Sequence, residues 1–214
     1  MDVLADTFDF KTITSGASQY TPIPDQIVYK NMDITSNLVP GYRTFDDIDY
    51  SQSNCGLNNI ILIILESPHN EEFEDPKGPL KNKWGDFCEY FISELQKSIK
   101  YSCLDKHTKY SLAFVNAIPF QCSEGKYLKD NQDIKNNNLM NCWNSGFKDD
   151  LIKRIQYIAP VLIINLCTYP MKENINDELG KIDLNYTYGD HPSAWSRLKD
   201  KNPTKQLIRW IAAW

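Results

Sequence analysis

Six consecutive apolar residues, Ile60-Ile61-Leu62-Ile63-Ile64-Leu65, constrain this chain more than any other stretch. The run is far too short to span a bilayer, and it lacks the alternation of a strand with one wet face. Isoleucine dominates it, Asn58-Asn59 precede it, and Glu66-Ser67-Pro68-His69-Asn70 follow it. Such a run reads as a central strand buried on both faces, as in a parallel sheet between helices. In open α/β sheets, ligands bind outside the carboxyl ends of the strands. The abrupt change to carboxylate, hydroxyl, proline and imidazole therefore marks a place for chemistry. An ordinary surface turn would look the same in isolation.

The rest of the chain alternates. Further strands are expected at Ser111–Asn116, Val161–Leu166 and Leu184–Tyr188. Trp84, Phe87, Cys88, Phe91, Ile92 and Leu95 fall at helical spacing and predict a helix over 84–98. A long helix is expected over 139–158, a short one over 171–179, and a last helical stretch interrupted near Pro203. Residues 121–138 are polar throughout and read as a loop. Alternating strands and helices predict an α/β fold, a three-layer α/β/α sandwich around a four-stranded parallel sheet. Residues 1–57 are rich in Thr, Ser, Asp and Pro and show no sustained period. They read as an N-terminal extension of short helical turns, packed on a domain formed by residues 58–214.

A net charge of -5 and a pI near 5.2 weigh against a general nucleic-acid binder, because phosphate contacts need positive charge. Local charge matters more than the sum. Lys77, Lys81 and Lys83 cluster, as do Arg197, Lys199, Lys201, Lys205 and Arg209. The 6 cysteines are scattered without a Cys-x-x-Cys pair, which disfavours zinc and iron–sulfur sites. They read as free thiols in a reducing compartment. The acidic start lacks the layout of a signal peptide, and no stretch is apolar enough for a membrane span. A cytoplasmic protein is expected.

Three of the strands end in residues able to meet at one edge: Glu66 with His69, then Asn116, then His191 with Ser193. Each has a plain structural explanation alone, as turn former, solvated acid or hydrogen-bonding imidazole. Their convergence gives them weight.

In order and spacing these segments resemble the uracil-DNA glycosylase superfamily. In its iron–sulfur branch the first motif reads Gly-Glu-Ala-Pro-Gly, followed by Glu-Asp, Gly-x-Pro-Phe and a basic turn. Here Leu65-Glu66-Ser67-Pro68-His69 precedes Glu74-Asp75 and Lys77-Gly78-Pro79-Leu80-Lys81-Asn82-Lys83. Asn116 matches the family's strand-end Asn, and His191-Pro192-Ser193 its last motif. The resemblance covers residues 59–214 and implies a glycosylase-like catalytic domain.

It further implies that the protein flips a base out of DNA and hydrolyses its glycosidic bond. Glu66 would stabilise the oxocarbenium-like sugar and position water, and His191 would donate to the departing base. Asn116 would read the base edge, with Ser67, His69 and Leu80 around it. Ser193, Trp195, Arg197, Lys81 and Lys83 would meet the strand, Trp195 as an apolar wedge in the vacated gap. The expected partner is DNA, bound by a monomer without cofactor, metal cluster or membrane.

The departures point away from plain uracil. Leu65 and His69 replace two glycines, and Leu80 replaces a stacking Phe, a contact worth roughly 1–3 kcal/mol. The family's N-terminal cluster cysteines are missing. Expectation therefore falls on a modified base, such as a bulky phage-type one removed in anti-phage defence. Uracil removal in repair and a catalytically silent nucleic-acid- or protein-binding relative are the alternatives. With no lysine in the strand-end motifs around Glu66, Asn116 and His191 to form a Schiff base, a monofunctional enzyme is expected.

Overall fold

A computed structural model describes residues 4, 9, 21–98, 104–122 and 132–209. Among them the strands are β1 (Gln26–Asp33), β2 (Asp46–Asp47), β3 (Ile60–Leu65), β4 (Lys109–Asn116), β5 (Leu162–Asn165), β6 (Tyr186–Gly189) and β7 (Ile208–Arg209). The helices are α1 (Trp84–Ser98), α2 (Gln132–Cys142), α3 (Lys148–Ile158), α4 (Met171–Leu179) and α5 (Trp195–Lys201). The strands form one sheet in the order β2-β1-β4-β3-β5-β6-β7.

Inside the sheet β3 runs parallel to β4 and β5, and β5 parallel to β6. On the flanks, β1 pairs antiparallel with β4 and β2, and β7 antiparallel with β6. The sheet is therefore mixed and seven-stranded, not the four-stranded parallel sheet expected from sequence. β1 comes from the segment read as an extension of helical turns. Its register shifts twice against β4 and Asn31 has φ 56°, so no regular alternation marks it as a strand. By pairing with β4 it covers what would otherwise be an open sheet edge.

Period-two alternation sends successive residues of β3 to opposite sides. Ile60, Leu62 and Ile64 pack with Leu139, Leu151, Ile155 and Ile175 from α2, α3 and α4. Ile61, Ile63 and Leu65 pack with Phe87, Phe91, Ile92 and Trp195 from α1 and α5. Helices thus cover both faces, and β3 lies buried between them, each large aliphatic contributing about 1.5–3 kcal/mol.

Elsewhere the boundaries move. The helix expected over 139–158 is two helices. Gly146, at φ 118°, stands in a π-type turn between α2 and α3, a backbone state other residues rarely adopt. α2 begins at Gln132, inside the stretch read as loop, and buries Asn138, Leu139 and Cys142. α3 ends at Ala159, in the left-handed region, whose N–H bonds to Ile155 O at 2.9 Å before Pro160 stops the helix. The last helical stretch is shorter than expected, because the chain after α5 returns to the sheet as β7. No helix among the described residues is long and apolar enough to cross a membrane.

Candidate active site

Glu66 follows β3, Asn116 ends β4, Thr168 follows β5 and His191 follows β6. All four stand at the carboxyl edge of the parallel strands, where a connection must leave the sheet and polar side chains escape the core.

Glu66 is 4% exposed. One carboxylate oxygen lies 3.0 Å from Lys135 Nζ, and the other accepts a hydrogen bond from the Thr168 hydroxyl. The carboxylate is thereby held in one orientation with a counter-charge beside it. The Glu66 carbonyl accepts from Ile118 N at 3.0 Å, which ties the two strand ends together.

Asn116 pairs in register with Leu65 and is 1% exposed. Neither its side-chain oxygen nor its nitrogen has a partner. An unsatisfied buried amide costs roughly 1–3 kcal/mol and is rare in native proteins. Alternation assigns Asn116 to the face of Leu112 and Phe114, and Glu66 to that of Leu62 and Ile64. A ligand touching both must lie across the sheet edge rather than against one face.

His191 heads a tight turn. Its Nδ1 accepts from Ser193 N at 3.3 Å and lies 2.8 Å from Ser193 Oγ, so the neutral ring carries its proton on Nε2. Burial pushes its pKa down to about 3, and positive charge at His69, Lys135 and Lys172 adds to this. At neutral pH it is an uncharged donor. The His69 ring lies 6.1 Å away, centroid to centroid, which brings the first and last motifs together. Lys135 links the set, paired with Glu66 and felt by His191.

The turn is pinned from behind. Asp190 N bonds to Leu207 O at 2.9 Å, and Trp195 Nε1 donates to Asp190 O at 2.7 Å. A Cβ on Gly189 would stand 2.6 Å from Leu207 O, so this crossing of β6 and β7 requires glycine.

The loop 70–83 is held by the N-terminal segment. Gln26 Nε2 donates to Lys77 O at 2.8 Å, and Arg43 Nη2 donates to Pro79 O and to Gln26 Oε1. A Cβ at Gly78 would overlap Gln26 Oε1 and stand 2.9 Å from Arg43 Nη2. Gly78→Ala is expected to lower stability by about 1–3 kcal/mol, read as a lower urea midpoint, because Gln26 is itself buried and fully engaged.

Several expected residues serve differently. Trp195 is not a wedge: it is fully buried, stacked on Phe87 at 5.4 Å, and its indole N–H is already used. Leu80 is 1% exposed and belongs to the core beside α1, with φ 56°. Ser67 is buried, His69 half-buried, Ser193 and Arg197 exposed. Lys81 braces its own loop through Glu74 O at 2.9 Å and Asp75 O at 3.2 Å, while Lys83 is half-buried. Further along, Lys199 is tied to buried Glu94 at 3.0 Å.

Sequence reasoning missed Lys135, Thr168, and two groups behind the site. Glu72 is 2% exposed with one carboxylate oxygen unpartnered, and burial pushes its pKa up to about 7 against the opposing pull of His69 and Arg43. Arg154, 1% exposed, pairs with Asp25 and Asp150 and donates to the carbonyls of Asn116 and Ala117. No local signal marks Lys135, since its helix carries no apolar stripe. The thiols of Cys122 and Cys142 lie 3.8 Å apart, and among the described residues no three side chains form a metal-binding group. A cleft of about 390 Å³ lined by Asp33, Thr35, Lys106, His107, Thr108 and Lys109 lies at the other end of β4. No protein-family model matches the chain, and a search of curated proteins finds no relative.

Proposed function

We propose that the protein is a DNA glycosylase of the uracil-DNA glycosylase kind, acting on an uncommon or modified base. The observation that carries this reading is Asn116, a buried amide with donor and acceptor both unpartnered at the strand edge. A ligand edge offering one acceptor and one donor, as a pyrimidine does, would satisfy it. Glu66 is then the carboxylate that faces the oxocarbenium-like sugar and orients water. His191, neutral with its proton on Nε2, is the donor to the base oxygen that gathers charge as the bond breaks. The run of parallel strands β4-β3-β5-β6 between helical layers is compatible with a glycosylase-like domain.

The preference for a modified base rests on His69, which stands in the first motif where the family has a glycine and lies 6.1 Å from the His191 ring, centroid to centroid. A catalytically silent, nucleic-acid-binding relative is the second reading, favoured by the occupation of both Glu66 oxygens by Lys135 and Thr168. Incubation with duplexes carrying uracil or bulky modified cytosines, followed by mass spectrometry of released bases, separates the readings. Release of a modified base faster than uracil is expected. Uracil released fastest would remove the modified-base assignment, and DNA binding without release of any base would leave the silent relative.

A further inference from the structure

We propose that Lys135 gives this site a second activity, cleavage of the DNA strand at an abasic sugar through a lysine imine. The absence of lysine from the strand-end motifs around Glu66, Asn116 and His191 predicts the opposite, but α2 brings one in from outside them. The proposal takes its substrate class, a deoxyribose in the cleft, from the glycosylase reading.

Lys135 is not a surface lysine. Its side chain is 18% exposed, against 53% for Lys97 and 64% for Lys181, which also pair with carboxylates. Lys199 is more withdrawn still, at 10%, but it is saturated structurally, holding Glu94 and the Lys205 carbonyl together. Among the described residues Lys135 has Glu66 as its one carboxylate partner, so there its remaining N–H donors meet no second carboxylate. It also stands close enough to His191 for its charge to be felt there. A nucleophile with a carboxylate at 3.0 Å and a donor imidazole nearby is the arrangement amine catalysis requires.

The chemistry closes without a further reagent. DNA seated over the edge would exclude water, and a desolvated ion pair then favours its neutral form. The proton moves from Nζ to the Glu66 carboxylate. The amine lone pair attacks the C1′ aldehyde carbon of the ring-opened abasic sugar, giving a carbinolamine. Glu66 returns its proton to the departing hydroxyl, which leaves as water and leaves a protonated imine. The Glu66 carboxylate next removes a proton from C2′. Those electrons form the C2′–C3′ double bond, and the C3′–O3′ bond breaks with its electron pair on the phosphate. One water hydrolyses the imine, freeing Lys135 and an unsaturated aldehyde.

The test supplies the abasic site ready made, so that it does not depend on base excision. The full chain is mixed with a duplex holding one abasic site, with and without sodium borohydride. The adduct is digested and mapped by mass spectrometry. A reduced deoxyribose remnant on Lys135, and loss of the adduct in Lys135→Arg, is the expected result. No adduct with the unaltered protein, or a remnant mapped to another amine, overturns the proposal. Mapping on the unaltered protein decides the matter even if Lys135→Arg folds poorly. Base release without an adduct would sink the imine and leave the glycosylase reading intact, whereas an adduct without base release would do the reverse.

Discussion

Glu66→Gln is expected to reduce base release by about 10²–10⁴-fold. The amide keeps the shape of the side chain and still accepts from Thr168, but it carries no charge to set against a positive sugar. His191→Ala should cost about 10²–10³-fold, the usual loss when one donor to a developing anion is removed. Neither change leaves a large cavity, since both residues stand at the sheet edge rather than between its layers. Single-turnover rates of base release, with circular dichroism to verify folding, measure both effects. A variant with full activity would remove its residue from the mechanism.

The site also sets a dependence of stability on pH. The folded-state pKa of His191 lies below the ordinary 6.5, near 3. Its contribution to stability is therefore complete above pH 6.5 and lost as pH falls toward 3. Glu72 runs the other way. With a folded pKa near 7 against an ordinary 4.5, its contribution is complete below pH 4.5 and lost as pH rises through 7. His191→Ala should thus unfold less readily in acid than the parent, relative to its stability at pH 7.

Arg154→Met is expected to destabilise the domain by about 3–5 kcal/mol, the cost of breaking a buried ion pair by removing one partner. The guanidinium lies 2.9 Å from Asp25 and 2.8 Å from Asp150, and donates to the Asn116 and Ala117 carbonyls at 3.1 and 3.2 Å. Tyr50 completes the cluster by donating to Asp25 at 2.7 Å. Without Arg154 two carboxylates remain buried with no counter-charge, and the end of β4 loses its fixing point. Burial already raises the pKa of Asp25, and Arg154 opposes it. Removing the arginine would raise it further. A raised carboxyl pKa gives stability at low pH that is lost as pH rises, so the defect should be smaller at pH 5 than at pH 7. Urea unfolding at both values measures it. Arg154→Lys should restore only part of the loss, because an ammonium cannot present the planar fork that reaches both carboxylates and both carbonyls.

Much of the scaffold was legible in the chain itself. The unbroken aliphatic run at Ile60–Leu65 can be satisfied only by burial on both faces, and β3 is buried on both. The aromatic and aliphatic spacing in Trp84–Ser98 carries its own period, and α1 follows it. Polar residues at or just beyond the strand ends marked the sheet edge at Glu66, Asn116 and His191. In each case the information is local: a residue and its near neighbours in sequence define the environment it needs.

What stayed hidden in the chain depends on partners far apart. Thr168 stands 102 positions from the Glu66 carboxylate it bonds, and Arg154 129 positions from Asp25. No periodicity records such pairings. Lys135 sits on a helix whose polar sequence resembles a loop, and only packing across the sheet edge turns it toward Glu66. Trp195 follows the His-Pro-Ser turn, where the resemblance implied a wedge and a helix start suggested the core, and the space beside Phe87 claimed its ring. β1 lacks alternation because its register shifts, and it becomes a strand only where β4 offers an unpaired edge. By itself the sequence determined which segments must be buried and where the chain turns polar. The tertiary structure alone decided which charges meet there, because burial follows from local composition while charge pairing follows from the distances that folding creates.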